Sequence, residues 1–278
     1  MKKILQALVL GSILLSPIRA NILPPGKDTG DIMVGVTGLF VAVKSGRLVV
    51  TDITPGTPSA GRLEKGDVHH GVDGKSLEVQ DPRHPLGFAI NEAEGRDGRM
   101  EFAIMRGEAP RKIAIQLEPI GRYSPSYPID CAKSKRIVDE TTAFILANGG
   151  PGDGITGNLE GLFLLSTGDG KYLPALGKYA AGLIAKGPGT STWHIGYSGI
   201  FLGEYYLATG DKRVLPALEA RCKALSAGQF FDGWGHRVDG CNPGYVTGGV
   251  LNAAGAQGLT TLILARECGI QVDEDTYN

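Results

Sequence analysis

Leu165 to Leu176 reads LSTGDGKYLPAL, and Leu207 to Leu218 reads LATGDKRVLPAL. Thr167 and Thr209 stand 42 residues apart, a period typical of stacked supersecondary units that bury their apolar faces on one another. Within the phrase, Gly168 is a natural left-handed residue after a helix, and Asp169 is placed to cap the helix that returns. Leu159, Leu162 and Phe163 are expected to line one face of the outgoing helix. Tyr172, Leu176, Ala180 and Leu183 are expected to face the core on the return. Shifting by the same period lays Gly157 on Gly199, Gly161 on Gly203, Asp169 on Asp211, Pro174 on Pro216 and Leu183 on Leu225. Caps, prolines and core positions thus agree together, and two helical hairpins are predicted. A third copy is suggested by Leu251 to Ile270, after a longer insertion.

The chain has 278 residues, room for about two domains. Its net charge of −1 supplies no electrostatic reason to expect nucleic acid as a partner. At the start, Lys2 and Lys3 precede the apolar run Ile4 to Leu15, and Ser16-Pro17 breaks it ahead of cleavage after Ala20. The run is too short to span a bilayer, and no lipid-accepting cysteine follows it. Residues 1–20 are therefore read as a signal peptide, and the mature protein is expected in the periplasm or secreted, without a stable membrane anchor. An exported chain can form disulfides, but the spacing of Cys131, Cys222, Cys241 and Cys268 selects no pairing over free thiols.

Residues 34–119 read as a β-rich domain. Leu39, Val41 and Val43 alternate with other residues, Leu48 to Ile53 is a β-branched run, and Met100 to Arg106 and Lys112 to Leu117 are joined across Gly107. Pro85 to Ala93 is the one helix-like stretch, with Leu86, Ala89, Ile90 and Ala93 on one face. His69 and His70 are adjacent, hence on opposite faces of a strand, which argues against a shared metal site. Residues 120–130, with Pro125 and Pro128, form a linker, and residues 131–278 are helical. There Ile137, Val138, Thr141, Phe144 and Ile145 make a stripe at helical spacing.

Within the β-rich segment, VTDITPGTPSAG at Val50 to Gly61 is followed by Leu63, by Lys65-Gly66-Asp67-Val68 and by Gly71-Val72-Asp73-Gly74-Lys75. This order of words resembles a PDZ domain of the bacterial type. The resemblance implies binding of an extended peptide or protein C-terminus by strand addition, with a glycine loop receiving a terminal carboxylate. Gly35, Val36, Thr37, Gly38, Leu39 and Phe40 are the candidate loop, although their wording departs from the usual G-L-G-F. The helical hairpins resemble the α/α-toroid of the terpenoid-cyclase and prenyltransferase class. The whole arrangement resembles an exported bacterial family of uncharacterised function. The fold class is thus multi-domain α+β, a small PDZ-like domain followed by an all-α hairpin array, a partial toroid expected to be incomplete at Asn278.

Each hairpin is preceded by a glycine-rich loop: Gly149 to Gly157, Gly187 to Gly196, and Gly228 to Gly249. Stacked hairpins would bring these loops to one rim. They carry Asp153, then Trp193 and His194, then Asp232, Trp234, His236 and Asp239. Carboxylates beside histidines suit acid/base chemistry, so His194, Asp232, His236 and Asp239 are candidate catalytic residues. Trp193 and Trp234 are candidate platforms for a glycan, the second partner considered. The alternative is that the tryptophans plug the array and the histidines cap helices. Asp239-Gly240-Cys241 is similar to the D-x-C zinc pair of protein prenyltransferases, but the matching downstream histidine has no counterpart, so no metal or other cofactor is expected. No phosphate-binding loop, dinucleotide fingerprint, nucleophile elbow or HExxH helix is present.

Overall fold

A computed structural model of the chain describes residues 28–239 and 249–276. The signal-peptide reading of residues 1–20 and any role of Cys241 lie outside them. The chain divides into two compact units between Ile137 and Val138. It is an α+β protein in two parts, a β-sheet region followed by a helical one.

The first unit holds strands β1 (Ile32–Met33), β2 (Leu39–Lys44), β3 (Arg47–Ile53), β4 (Val68–Val72), β5 (Lys75–Ser76), β6 (Arg99–Arg106) and β7 (Ala109–Gln116), with helix α1 (Arg83–Glu94). The strands form one antiparallel sheet in the order β1-β2-β3-β4-β6-β7, with β5 paired to β4. The β2–β3 connection is a two-residue turn in which Ser45 and Gly46 both have positive φ, 49° and 76°. That geometry matches the twist of the strands it joins. Alternation then decides the core: Met100, Phe102 and Ile104 are buried on β6, and Leu48 and Val50 on β3. Leu86, Ala89 and Ala93 of α1 complete this core, with Ile90 at its margin. Each fully buried Leu or Phe contributes on the order of 2 kcal/mol.

A partly buried and a buried ion pair brace this unit. Arg106 donates from Nε to Asp67 Oδ1 and from Nη2 to Asp67 Oδ2, both at 2.8 Å. Burial works against ionisation of Asp67, but the Arg106 fork and the Glu64 amide outweigh it and hold the carboxyl below its ordinary value. Lys133 is buried, with Nζ 2.7 Å from Glu94 Oε2 and 2.8 Å from Asn91 Oδ1. Helix α2 (Ala132–Ala147) begins at this anchor.

The helical unit contains the two expected hairpins. The first is α3 (Gly154–Ser166) and α4 (Leu173–Lys186); the second is α5 (Thr192–Thr209) and α6 (Leu215–Ala227). The repeated phrase makes the same turn twice. Thr167 Oγ1 donates to Leu164 O and accepts from the Asp169 amide; Thr209 Oγ1 donates to Tyr205 O and accepts from the Asp211 amide. Asp169 and Asp211 then accept from the amides of Lys171 and Arg213, at 3.0 and 3.1 Å. Gly168 and Gly210 have φ of 67° and 70°, the left-handed exit anticipated from the sequence. Where a third copy was expected, one helix lies, α7 (Asn252–Glu267).

Helix α5 sits at the centre, and glycines let its neighbours approach. A Cβ on Gly199 would lie 2.2 Å from Thr261 Cγ2 of α7, and one on Gly196 would lie 2.6 Å from Gln257 Cβ. On α3, a Cβ on Gly161 would meet Phe201 at 2.8 Å. This corrects the expected face of α3. Leu159 is exposed, and the buried residues are Gly157, Asn158, Gly161 and Leu164, because backbone apposition and not leucine packing makes the contact. Phe144 on α2 is likewise exposed, while Thr142 and Ile145 are buried.

Candidate functional site

The first two glycine-rich loops enclose a cleft of about 820 Å³ in the helical unit. Its walls come from Gly149 to Gly154, from Lys178 to Lys186 on α4, and from Gly187 to His194 leading into α5. Gly154, Gly187 and Gly189 have φ of 69°, 69° and 68°, a conformation that lets both loops fold back tightly. The His194 ring packs over Gly154, whose hypothetical Cβ would lie 3.7 Å from Cε1. Across the cleft, the Tyr179 hydroxyl donates to Asn158 Oδ1 at 2.8 Å, joining α4 to α3. Burial, together with the nearby Asp153 and Glu160 charges, pushes the Tyr179 phenol up to about 12, so it remains a donor. Lys186 pairs with Asp153, holding that carboxyl below its ordinary value.

Arg221, on α6, lies at the floor. Only 1% of it is exposed. Nε donates to Ser198 Oγ at 2.7 Å, Nη1 to Ala217 O at 2.9 Å, and Nη2 to Leu183 O at 3.1 Å and Gly187 O at 3.2 Å. These are neutral acceptors, and no described carboxylate lies within 4 Å. Desolvation lowers the guanidinium to about 10, so it keeps its charge at neutral pH. Burying a charge without a counterion costs several kcal/mol unless hydrogen bonds compensate, and here four of five N–H groups are compensated. Sequence reading passed over Arg221. A signal was available: it stands three residues after Leu218 and four before Leu225, on the buried stripe of its helix.

The described part of the third loop, up to Asp239, is stitched to the second, and none of its residues lines the cleft. Thr192 N donates to His236 O at 2.9 Å, Val238 N to Thr190 O at 2.9 Å, and the Trp193 indole to His236 Nδ1 at 2.8 Å. Of the four candidate catalytic residues, only His194 therefore lines the cleft. His236 is engaged by Trp193, Asp239 is forked by Arg237 at 2.7 and 2.5 Å, and Asp232 is exposed on a turn with φ 54°. The expected acid/base quartet is not assembled: His194 stands in the cleft, His236 and Asp239 are paired to Trp193 and Arg237, and Asp232 is exposed on its turn. Trp234 is no platform either. It is 4% exposed, and its indole donates to Leu225 O at 2.8 Å, so it fills the core as a plug. Trp193 is half-buried, with its polar edge committed to His236. Among the described residues, no group of three or more His, Cys, Asp or Glu side chains could hold a metal. Cys131, Cys222 and Cys268 are free and buried.

In the first unit, Gly35–Thr37 form a 3-10 turn and Gly38 leads into β2 with φ 75°. The amides that a terminal carboxylate would need are occupied internally. Thr37 N donates to Val34 O, Gly38 N to Gly35 O, and Leu39 N to Thr37 Oγ1, each at 3.2 Å. Val36 is exposed, and Phe40 enters β2. The role of Gly35 to Phe40 as a carboxylate cradle is thus not supported by their geometry, because the carbonyls of Val34 and Gly35 and the Thr37 hydroxyl already accept from these amides. The outer edge of β2 is also taken. Ile32 and Met33 pair with Val41 and Phe40, and Thr29 N donates to Val43 O at 3.0 Å.

A short antiparallel sheet followed by glycine-apposed helical hairpins defines a two-part α+β protein with a cleft among the loops of its helical half. Residues 134–278 match the family described as a domain of unknown function (DUF6288), and the chain belongs to that family. No curated protein matches the chain. No helix among the described residues is long and apolar enough to cross a membrane.

Proposed function

We propose that the chain is an exported binding protein whose first unit is a PDZ-type module that takes up an extended peptide segment by strand addition, and whose second unit is a partial α/α-toroid. The observation that carries the reading is the edge of β2, which already holds an extended segment, Thr29 to Met33, in antiparallel register. That segment is held by a two-residue strand and by both ends of Thr29, whose side chain accepts from Val43 N at 2.9 Å, with Asp28 on the Ser45 amide and Val34 N on Leu39 O flanking it. A longer strand would gain more backbone bonds than it displaces. The occupied amides of Gly35 to Leu39 favour an internal peptide segment over a free C-terminus.

The test is a peptide-array screen of the full chain and of Ile32→Pro, in which the resident strand cannot form its ladder. Binding of extended peptides, stronger in Ile32→Pro than in the parent, is expected. Failure of both proteins to bind any extended peptide would overturn the reading. Acid/base catalysis on a glycan loses its support with the scattering of His194, Asp232, His236 and Asp239.

A further inference from the structure

We infer that the cleft of the helical unit is a binding site for a carboxylate carried on a hydroxyl-rich ring, an acidic sugar. Three observations combine. The first is charge. Lys178, Lys186 and Arg221 line the cleft, three cations against Asp153 and, at its edge, Glu160, whose Oε2 is engaged by the Gly152 amide at 2.8 Å, in a chain whose overall charge is −1. Lys178 makes no ion pair among the described residues, and Asp153 is already matched by Lys186. Arg221 therefore leaves a surplus positive charge under the floor, where the low dielectric strengthens its pull on an anion.

The second observation is the largely engaged N-terminus of α5. A phosphate would draw on its first amides, yet Thr192 N is bonded to His236 O, His194 N to Ser191 Oγ and Ile195 N to Ser191 O. Besides the Trp193 amide, the cleft offers the ammonium of Lys178 and the one Nη1 hydrogen of Arg221 without a protein acceptor. Such dispersed donors suit the single charge of a carboxylate better than a phosphate dianion.

The third is the lining. The volume falls in the range of about 300–1,000 Å³ typical of small-molecule sites, too large for an inorganic ion alone. Tyr179, Thr190 and Ser191 bring hydroxyls, and Pro151, Leu183 and Pro188 bring apolar patches. Hydroxyls beside apolar surface are complementary to a pyranose ring.

Titration calorimetry of the full chain with digalacturonate, with the neutral disaccharide lactose and with glucose 6-phosphate tests the inference. Saturable binding of digalacturonate is expected, with no binding of lactose and a fall in affinity on adding salt. Lys178→Gln should weaken digalacturonate by about fivefold to tenfold while leaving the fold intact. Arg221→Met should abolish it; should that variant not fold, Lys178→Gln decides. Equal binding of lactose, an unchanged affinity in Lys178→Gln, or no heat up to about 10 mM digalacturonate would overturn the inference. Tighter binding of glucose 6-phosphate than of digalacturonate would overturn the assignment to a carboxylate. None of these outcomes depends on peptide binding by the first unit.

Discussion

The indole N–H of Trp193 donates to Nδ1 of His236 at 2.8 Å, the rings lying 6.0 Å apart. An indole nitrogen can only donate, so Nδ1 must carry the lone pair, and a neutral His236 carries its hydrogen on Nε2. The bond also seals one of the contacts that dock the third loop on the second. Trp193→Phe removes the donor to this half-buried acceptor. A loss of about 1 kcal/mol in the helical unit is expected. Nitrogen chemical shifts of the His236 ring should report the Nε2–H tautomer in the parent and a mixture in the variant. An unchanged tautomer would show that Trp193 does not set it.

Glycine spacing on α5 makes a second prediction. Gly199→Ala places a methyl group where Thr261 Cγ2 stands at 2.2 Å, and Thr261 itself is held by a bond from Oγ1 to Gly196 O at 2.8 Å. The helices must separate, and a loss of about 2–4 kcal/mol is expected from overpacking. Thr261→Ser in the same chain removes Cγ2, the nearest of the clashing atoms, and should recover part of the loss. A double-mutant cycle on urea midpoints measures the recovery; strict additivity would place the strain elsewhere.

These two contacts mark what the sequence could and could not disclose. The phrase LxTGDxxxLPAL was readable because Thr, Gly and Asp act on their own backbone within a few residues, and both turns have the bonds their residue types demand. The strands from Met100 and Lys112 were readable because alternation is local too. Leu159 was misread because α3 docks through Gly157 and Gly161, and a helix that packs by its smallest residues inverts the usual sign of an apolar stripe. Trp234 and Arg221 were beyond reach for a related reason. Whether an indole or a guanidinium lies open or buried depends on which carbonyls of distant helices, Leu225 or Leu183 and Gly187, stand ready to accept from it.

The turn at Phe231-Asp232 should be improvable. Phe230 and Gly233 exchange backbone bonds at 2.8 and 3.1 Å around two corner residues with φ of 46° and 54°. Such corners favour Asn-Gly, and Phe231 is 82% exposed, so its ring adds little burial. Replacing the pair by Phe231→Asn with Asp232→Gly is expected to stabilise the helical unit by about 1 kcal/mol, read as a raised melting temperature. Destabilisation would mean that the Phe230–Phe231 ring contact, at 4.3 Å, outweighs the relief of backbone strain.

Cys131 caps helix α2 with a thiol. Its sulfur accepts from the amides of Ser124 at 3.3 Å and Ser134 at 3.5 Å. Hydrogen bonding from Ser134, then from the Ser124 amide, brings the thiol down to about 6 against an ordinary 9.0. A depressed acid stabilises the fold in its ionised form. That contribution is complete above pH 9, shrinks as the pH falls, and is gone below about 6. Relative to Cys131→Ser, which cannot ionise, the parent should therefore gain stability between about pH 6 and pH 9. Parallel urea titrations across that range would show the two curves diverging; curves that stay parallel would mean the thiol is not depressed.

His69 carries the acid counterpart. The ring is 2% exposed, stands edge-on to Phe102 at a centroid distance of 4.6 Å, and both its nitrogens are buried without a partner. Desolvation lowers it from 6.5 to about 4, with Asp67 opposing the shift. In the folded protein the ring is neutral, whereas the unfolded chain takes up a proton near 6.5. Between these values the unfolded state binds more protons, so stability falls as the pH is lowered, by a total of about 3 kcal/mol. His69→Phe removes both the titration and the two unmet polar atoms, in a strand position that faces an aromatic ring. The variant should lose less stability than the parent on going from neutral pH to about pH 4, the difference growing through the window in which only the unfolded histidine is charged. Guanidinium unfolding of both proteins at several pH values provides the comparison. Identical acid slopes would show that His69 is solvated and protonates in place.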